Sequence, residues 1–189
     1  SKGQSLDHAS QSCMGLLLVK SGQIRAFILS DSGKEITLYR LFERDLCIFS
    51  ASCMLKDIHF DIYMETEHDS NVLLIPTAVY NELNQSSLAV SNYTSELISS
   101  RFTDVMWVME QVVFMSFDKR LANFLLEQSA IDGSDTLSIT HEAIAKHLGS
   151  AREVVTRMLQ YFQSEGMVSH FRGGITITDR KKLENLLKL

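Results

Sequence analysis

Arg152, Glu153, Thr156, Arg157 and Gln160 recur at steps that place them on one side of a helix, opposite an apolar stripe of Val155, Met158, Leu159 and Phe162. These residue types can read nucleic-acid bases. An arginine meets guanine with two parallel hydrogen bonds, and a glutamate accepts from the cytosine amine. A charged helix face is in most proteins only a solvated one. Here it occupies the N-terminal half of a helix that follows a sharp turn, which is the half that enters a major groove in helix-turn-helix proteins.

The flanking residues supply that turn. Thr140 is suited to cap a first helix ending near Leu148, with Glu142 favourable in its first turn. Gly149 follows where the chain must reverse, and Ser150 is expected to cap the second helix, Ala151 to Glu165. Ala145, Gly149 and Val155 have helix-turn-helix spacing: a small residue for close approach, a glycine for the turn and a branched residue between the helices. Two strands, Met167–Phe171 and Ile175–Ile177, are expected around Arg172-Gly173-Gly174, and Thr178 is expected to cap a closing helix, Asp179 to Leu187. The hairpin reads as a wing whose Arg172 touches the phosphate backbone, a contact that gives affinity but little sequence information. Thr140, His141, Ser150 and Gln160 border the same face and are further backbone-contact candidates, while Arg152, Glu153, Thr156 and Arg157 are the base-reading candidates.

The elements that must position this face lie upstream. Short segments rich in Leu, Ile and Phe (Leu16–Val19, Ile24–Leu29, Glu35–Phe42, Leu46–Phe49, Ile58–Met64 and Asn71–Ile75) alternate with turn sequences such as Ser21-Gly22 and Asp31-Ser32-Gly33-Lys34, which suggests a β-sandwich or barrel. Pro76 is placed to start a short helix, Thr77 to Leu83. From Ser87 to about Gln128 there is no Pro or Gly. Ile98, Phe102, Val105, Met109 and Val112 recur at steps of four, three, four and three, a heptad seam, and a second stripe runs through Leu97, Met106-Trp107 and Val113-Phe114. Two apolar sides need two partners. Either one core surrounds the helix, or the helix packs on its own β domain and on its twin in a homodimer. Ser116-Phe117-Asp118 marks a break, with Asp118 expected to cap a further helix, Lys119 to Gln128. The division is therefore residues 1–84 as a β sensor, 85–116 as a dimerisation helix and 117–189 as the nucleic-acid-binding domain, in an α+β chain.

Composition bounds the alternatives. The 189 residues are 45% hydrophobic and 22% charged, ordinary for a globular protein. No apolar run reaches the roughly 20 residues of a membrane span, and Ser1-Lys2-Gly3-Gln4-Ser5 lacks an apolar signal core, so a cytoplasmic location and no membrane partner are expected. The net charge of -5 is unevenly spread: residues 134–189 hold eight Lys and Arg against six Asp and Glu, +2, which leaves -7 for the rest. Phosphate binding needs a local basic surface rather than a basic chain. There is no nucleophile motif, metal-ligand spacing or phosphate-binding glycine loop, so no enzyme and no metal site are expected. The competing class is a ligand-binding interaction module whose winged helix contacts protein instead of DNA.

The run from Thr140 to Leu159, with Arg152-Glu153-x-x-x-Arg157 after the turn, resembles the DNA-binding signature of the Crp/Fnr family of bacterial regulators. The resemblance covers nearly the whole chain. It implies an N-terminal cyclic-nucleotide-binding-like β-roll (cupin-like) beginning before Ser1, a long dimerisation helix and a C-terminal winged helix-turn-helix. It further implies double-stranded DNA and RNA polymerase as partners. Carried over, Glu153 and Arg157 read base edges and Arg152 a base or a phosphate. Ala151 departs from the family's frequent serine and puts one phosphate contact in doubt.

The effector is less legible. The stretch that corresponds to the family's cyclic-phosphate cassette, Arg44 to Cys53 followed by His59-Phe60-Asp61, has neither Gly-Glu nor an arginine for the phosphate, and Asp61 would repel it. Cyclic nucleotides are therefore not expected to bind. Cys13, Cys47 and Cys53 with His59 are the redox or effector candidates. Three cysteines fall one ligand short of an iron–sulfur cluster. Neither that cluster nor haem is expected, and an unidentified small molecule in the roll is.

Overall fold

The computed structural model describes residues 1–6, 15–47 and 62–188. They form two compact units, one of Ser1–Leu29 with Thr37–Val108 and one of Ser30–Ile36 with Met109–Leu189.

In the first unit the Leu- and Ile-rich segments become β1 (Leu16–Ser21), β2 (Ile24–Leu29), β3 (Glu35–Leu41), β4 (Leu46–Cys47), β5 (Tyr63–Thr66) and β6 (Asn71–Ile75). They pair in two three-stranded sheets, ordered β4-β1-β6 and β3-β2-β5. The β1–β6 ladder sets Leu17 opposite Leu74, and the β2–β5 ladder sets Ala26 opposite Met64. Leu17, Val19, Ile24, Ala26, Leu41 and Met64 form the core between them. Cys47 is buried at the end of β4, with its thiol 3.5 Å from Met64 Sδ and 3.8 Å from the Tyr39 hydroxyl. Burial pushes the Tyr39 phenol well above the ordinary tyrosine range, and the neighbouring Cys47 adds to the effect. Cys13, Cys53, His59 and the Phe60-Asp61 turn lie outside the described residues.

Pro76 is the N-cap of α1 (Thr77–Ser86), which runs one turn beyond the expected Leu83 before Ser87 turns extended. The next helix, α2 (Leu88–Phe114), is 27 residues long. Leu97 and Arg101 are its buried residues. Arg101 is held by Asp104, 2.8 Å away, and its guanidinium lies 4.7 Å over the Tyr39 ring. Val105 and Val108 pack against the β core, whereas Ile98, Phe102, Met109 and Val112 are exposed along with Met106, Val113 and Phe114. Among the described residues no helix is long and apolar enough to cross a membrane.

The second unit begins with the end of α2 and α3 (Phe117–Asp132). Here the sequence reading needs correction. Ser116, not Asp118, is the N-cap position, and Asp118 sits inside the first turn, where its carboxylate meets the positive end of the helix. Gly133 ends α3 in the left-handed region. Then follow β7 (Thr136–Leu137), α4 (His141–Leu148), α5 (Arg152–Ser164), β8 (Val168–Phe171), β9 (Gly174–Ile177) and α6 (Arg180–Lys188). The strand order is β7-β9-β8, so β7, too short to announce itself in the sequence, pairs with the hairpin. The fully buried Leu121, Leu125, Leu137, Ile144, Val155, Leu159, Phe162, Ile175 and Leu183 make one core that ties α3, α4, α5 and α6 to the sheet. Each contributes roughly 1.5–3 kcal/mol by burial. Thr178 does not cap α6: its hydroxyl donates to the Gly166 carbonyl, and Asp179 accepts from the Lys182 amide instead. Arg180 also fastens α6 to α3, donating to Asp135 at 2.6 Å and to Ser129 at 2.5 Å. The Ser129 hydroxyl donates to Asp135 at 2.8 Å, and this bond, followed by the one from Arg180, holds the Asp135 carboxyl below its ordinary pKa.

Candidate nucleic-acid interface

Thr140 caps α4 with its side chain, accepting from the Ala143 amide at 3.1 Å, and Glu142 stands in the first turn. Removing the hydroxyl leaves that amide unbonded. Thr140→Ala is expected to cost about 1 kcal/mol, read as a lower urea midpoint with an unchanged slope; an unshifted midpoint would show the cap to be energetically idle. Gly149 closes α4 at φ +63 and returns its amide to the Ala145 carbonyl, a conformation that costs an L-residue roughly 1–2 kcal/mol.

Ser150 donates its own amide to the same Ala145 carbonyl at 3.0 Å, so it completes the C-cap of α4. Ala151 is the N-cap of α5 and forms no side-chain cap bond. The expectation that Ser150 caps α5 is corrected for this reason. α5 then divides as its sequence demands. Val155, Leu159 and Phe162 are buried, Met158 is partly so, and Arg152, Glu153, Arg157 and Gln160 are exposed. Thr156 is half-buried: its hydroxyl donates to the Arg152 carbonyl at 2.9 Å and meets His141 Nδ1 at 2.9 Å.

The wing brings Phe171, Gly173 and Gly174 to the same side. Gly174 has no room for a side chain, because a Cβ there would collide with the Phe171 ring and with the Leu137 carbonyl of β7. The hairpin is thereby held close against β7. Between α4, α5 and the wing lies an open groove of about 640 Å³, lined by Thr140, His141, Glu142, Arg152, Gln160 and His170 among others. Of the sequence candidates, Thr140, His141, Arg152, Thr156 and Gln160 line it, while Glu153, Arg157 and Arg172 are exposed side chains of α5 and the wing. Burial, then His170, then Arg152 lower the pKa of His141. His170 was not legible in the sequence: a single histidine in a strand carries no periodicity and no motif. Among the described residues no group of three or more His, Cys, Asp or Glu could hold a metal ion.

Comparison with known proteins places this geometry. Residues 119–186 match the model of the Crp-like helix-turn-helix domain. The chain is 53% identical to a Crp/Fnr-family protein of Eubacterium rectale, whose crystal structure matches it with a TM-score of 0.94 over 100% of this chain and 87% of that one. The regulatory protein HlyX of Actinobacillus pleuropneumoniae is 27% identical over 96% of this chain and 78% of its own length. The fumarate and nitrate reduction regulatory protein of Escherichia coli is 26% identical over 98% and 76%.

Proposed function

We infer the function from one premise: the chain belongs to the Crp/Fnr family of transcription regulators, and carries that family's helix-turn-helix DNA-binding domain. In our reading it acts in the cytoplasm as a homodimer on an inverted-repeat site, with RNA polymerase as a further partner. Residues 1–84 form the sensor, 85–116 the dimerisation helix and 117–189 the DNA-binding domain. A small molecule in the β-roll sets the DNA-binding state. The observation that carries the reading is the exposed face of α5, where Arg152, Glu153 and Arg157 stand in the first two turns with Arg172 presented by the wing. Glu153 and Arg157 then read base edges, and Thr140, His141, Ser150, Gln160 and Arg172 track the backbone. The apolar residues exposed along α2 support the dimer.

Selection from a random duplex library tests this reading. The recovered site is expected to be an inverted repeat whose half-sites lie about 10 base pairs apart, since a two-fold dimer presents two recognition helices about one helical turn apart. Affinity for it should fall about a thousandfold or more between about 50 and 200 mM salt, as six or more neutralised phosphates release counterions. Salt-independent binding, or recovery of no site, would favour a winged helix that contacts protein.

A further inference from the structure

His141 opens α4 and His170 lies in β8, yet their rings sit 5.5 Å apart between centroids, edge to face. The hydrogen bonds settle where each neutral ring carries its proton. His170 Nε2 is 3.3 Å from the Leu159 carbonyl, which only accepts, so Nε2 is the protonated nitrogen. The Thr156 hydroxyl spends its hydrogen on the Arg152 carbonyl, so it accepts from His141 Nδ1. Each neutral ring therefore keeps one basic nitrogen outside these bonds, Nε2 of His141 and Nδ1 of His170.

Both rings are half-buried and line the groove on the DNA-facing side. The charged side chains that line it with them are Arg152 from α5 and Glu142 from α4, while the wing strand contributes the second imidazole itself. A proton on His141 would stand beside the His170 ring and Arg152, with Glu142 as the one groove-lining carboxylate to offset it. In the free protein the balance falls against the proton: burial, His170 and Arg152 all lower the pKa of His141. What the groove lacks is an anion.

We propose that the His141–His170 pair is a seat for one DNA backbone phosphate and takes up one proton as the duplex binds. The inference rests on the reading of this face as DNA-binding and adds a proton to it. A phosphate brings the counter-charge that the free groove lacks, so the pair's apparent pKa rises in the complex. The sign follows. Above the bound pKa neither state holds the proton, and below the free pKa both do, so affinity is flat in both ranges. Between the two, affinity rises as pH falls, by up to about tenfold per pH unit for one linked proton.

The test titrates the full chain with an end-labelled random-sequence duplex of about 30 base pairs, from about pH 8.5 to about pH 5.5 at fixed ionic strength. Wild type, His141→Gln and His170→Gln are compared. Glutamine can still donate to Thr156 or to the Leu159 carbonyl, so both clasps survive while the titration is removed. The wild type is expected to bind more tightly as pH falls through the window between the free and the bound pKa, by up to about tenfold per pH unit. His141→Gln should bind with no pH dependence, and His170→Gln should shift the dependence to higher pH because the repelling ring is gone. Salt-dependent binding that is flat in pH, or equally pH-dependent in all three proteins, would overturn the proton-linked seat and leave the DNA-binding reading standing. No salt-dependent binding at any pH would overturn both. Should His141→Gln fail to fold, the imidazole resonances of the wild type decide: the pKa of His141 must rise on adding the duplex, and an unmoved value overturns the proposal.

Discussion

Replacing Phe102 and Met109 together with glutamate is expected to leave a folded monomer that binds a palindromic duplex at least about a hundredfold more weakly than the parent. Phe102 is 66% exposed and Met109 49% exposed, on a helix that also exposes Ile98, Met106, Val112 and Val113. Such a strip is larger than the scattered apolar residues of ordinary surfaces and fits a contact made by the same face of two copies. Because these side chains lie outside the chain's own core, charging them costs the monomer little. In a two-fold seam each substitution meets its own image, so four carboxylates would be desolvated together. Loss of the dimer then removes the second half-site contact, which in the pair is an intramolecular event at high effective concentration. Val105→Glu is the internal control. Val105 packs against the β core, so that variant should lose its cooperative unfolding transition rather than dissociate cleanly. Sedimentation and circular dichroism separate the two outcomes. A Phe102→Glu, Met109→Glu protein that sediments as a well-folded dimer would show that another face holds the subunits together.

The contrast between Val105 and Phe102 shows where the sequence was readable. Heptad arithmetic puts Ile98, Phe102, Val105, Met109 and Val112 in one seam, but a straight helix advances 3.6 residues per turn and drifts from a 3.5 repeat. In α2 Val105 and Val108 instead pack on the β core, on the side of the helix that buries Leu97 and Arg101. Arg101 is a second surprise of the same helix. An arginine reads as surface, yet Asp104 and the Tyr39 ring make its burial tolerable. In the second unit the apolar stripe of α5 and the Thr140 and Gly149 signals were legible because each is a local rule obeyed locally. The errors came where one residue could satisfy two rules. Ser150 is a good N-cap type, but its amide is consumed in closing α4, and Asp118 and Thr178 lost their expected capping roles to Ser116 and Asp179. The His141–His170 juxtaposition depends on β8 lying beside the start of α4, a long-range fact with no local sign.

Arg157→Ala and Arg172→Ala should separate sequence reading from backbone attachment. Arg157 is exposed in the second turn of α5, on the side opposite Val155 and Leu159, so α5 can present its guanidinium to a base edge while the apolar stripe anchors the helix. A bidentate contact to guanine is worth about 1–3 kcal/mol of discrimination in each half-site. A homodimer carries the substitution twice, so the selected site should lose about twice that while a random duplex loses little. Arg157→Lys keeps the charge but not the planar fork, and should resemble the alanine variant in specificity more than in affinity for random DNA. Arg172 lies at the tip of the wing between β8 and β9, a position from which a contact with phosphate is expected. Arg172→Ala should weaken every duplex alike and lower the salt slope by about one per subunit. The decisive measurement is the base-preference profile of each variant obtained by duplex selection. Arg157→Ala should flatten one position in each half-site, and Arg172→Ala should flatten none. Equal, sequence-blind losses from both would make Arg157 a phosphate contact and leave Glu153 and Arg152 to carry the readout of this helix.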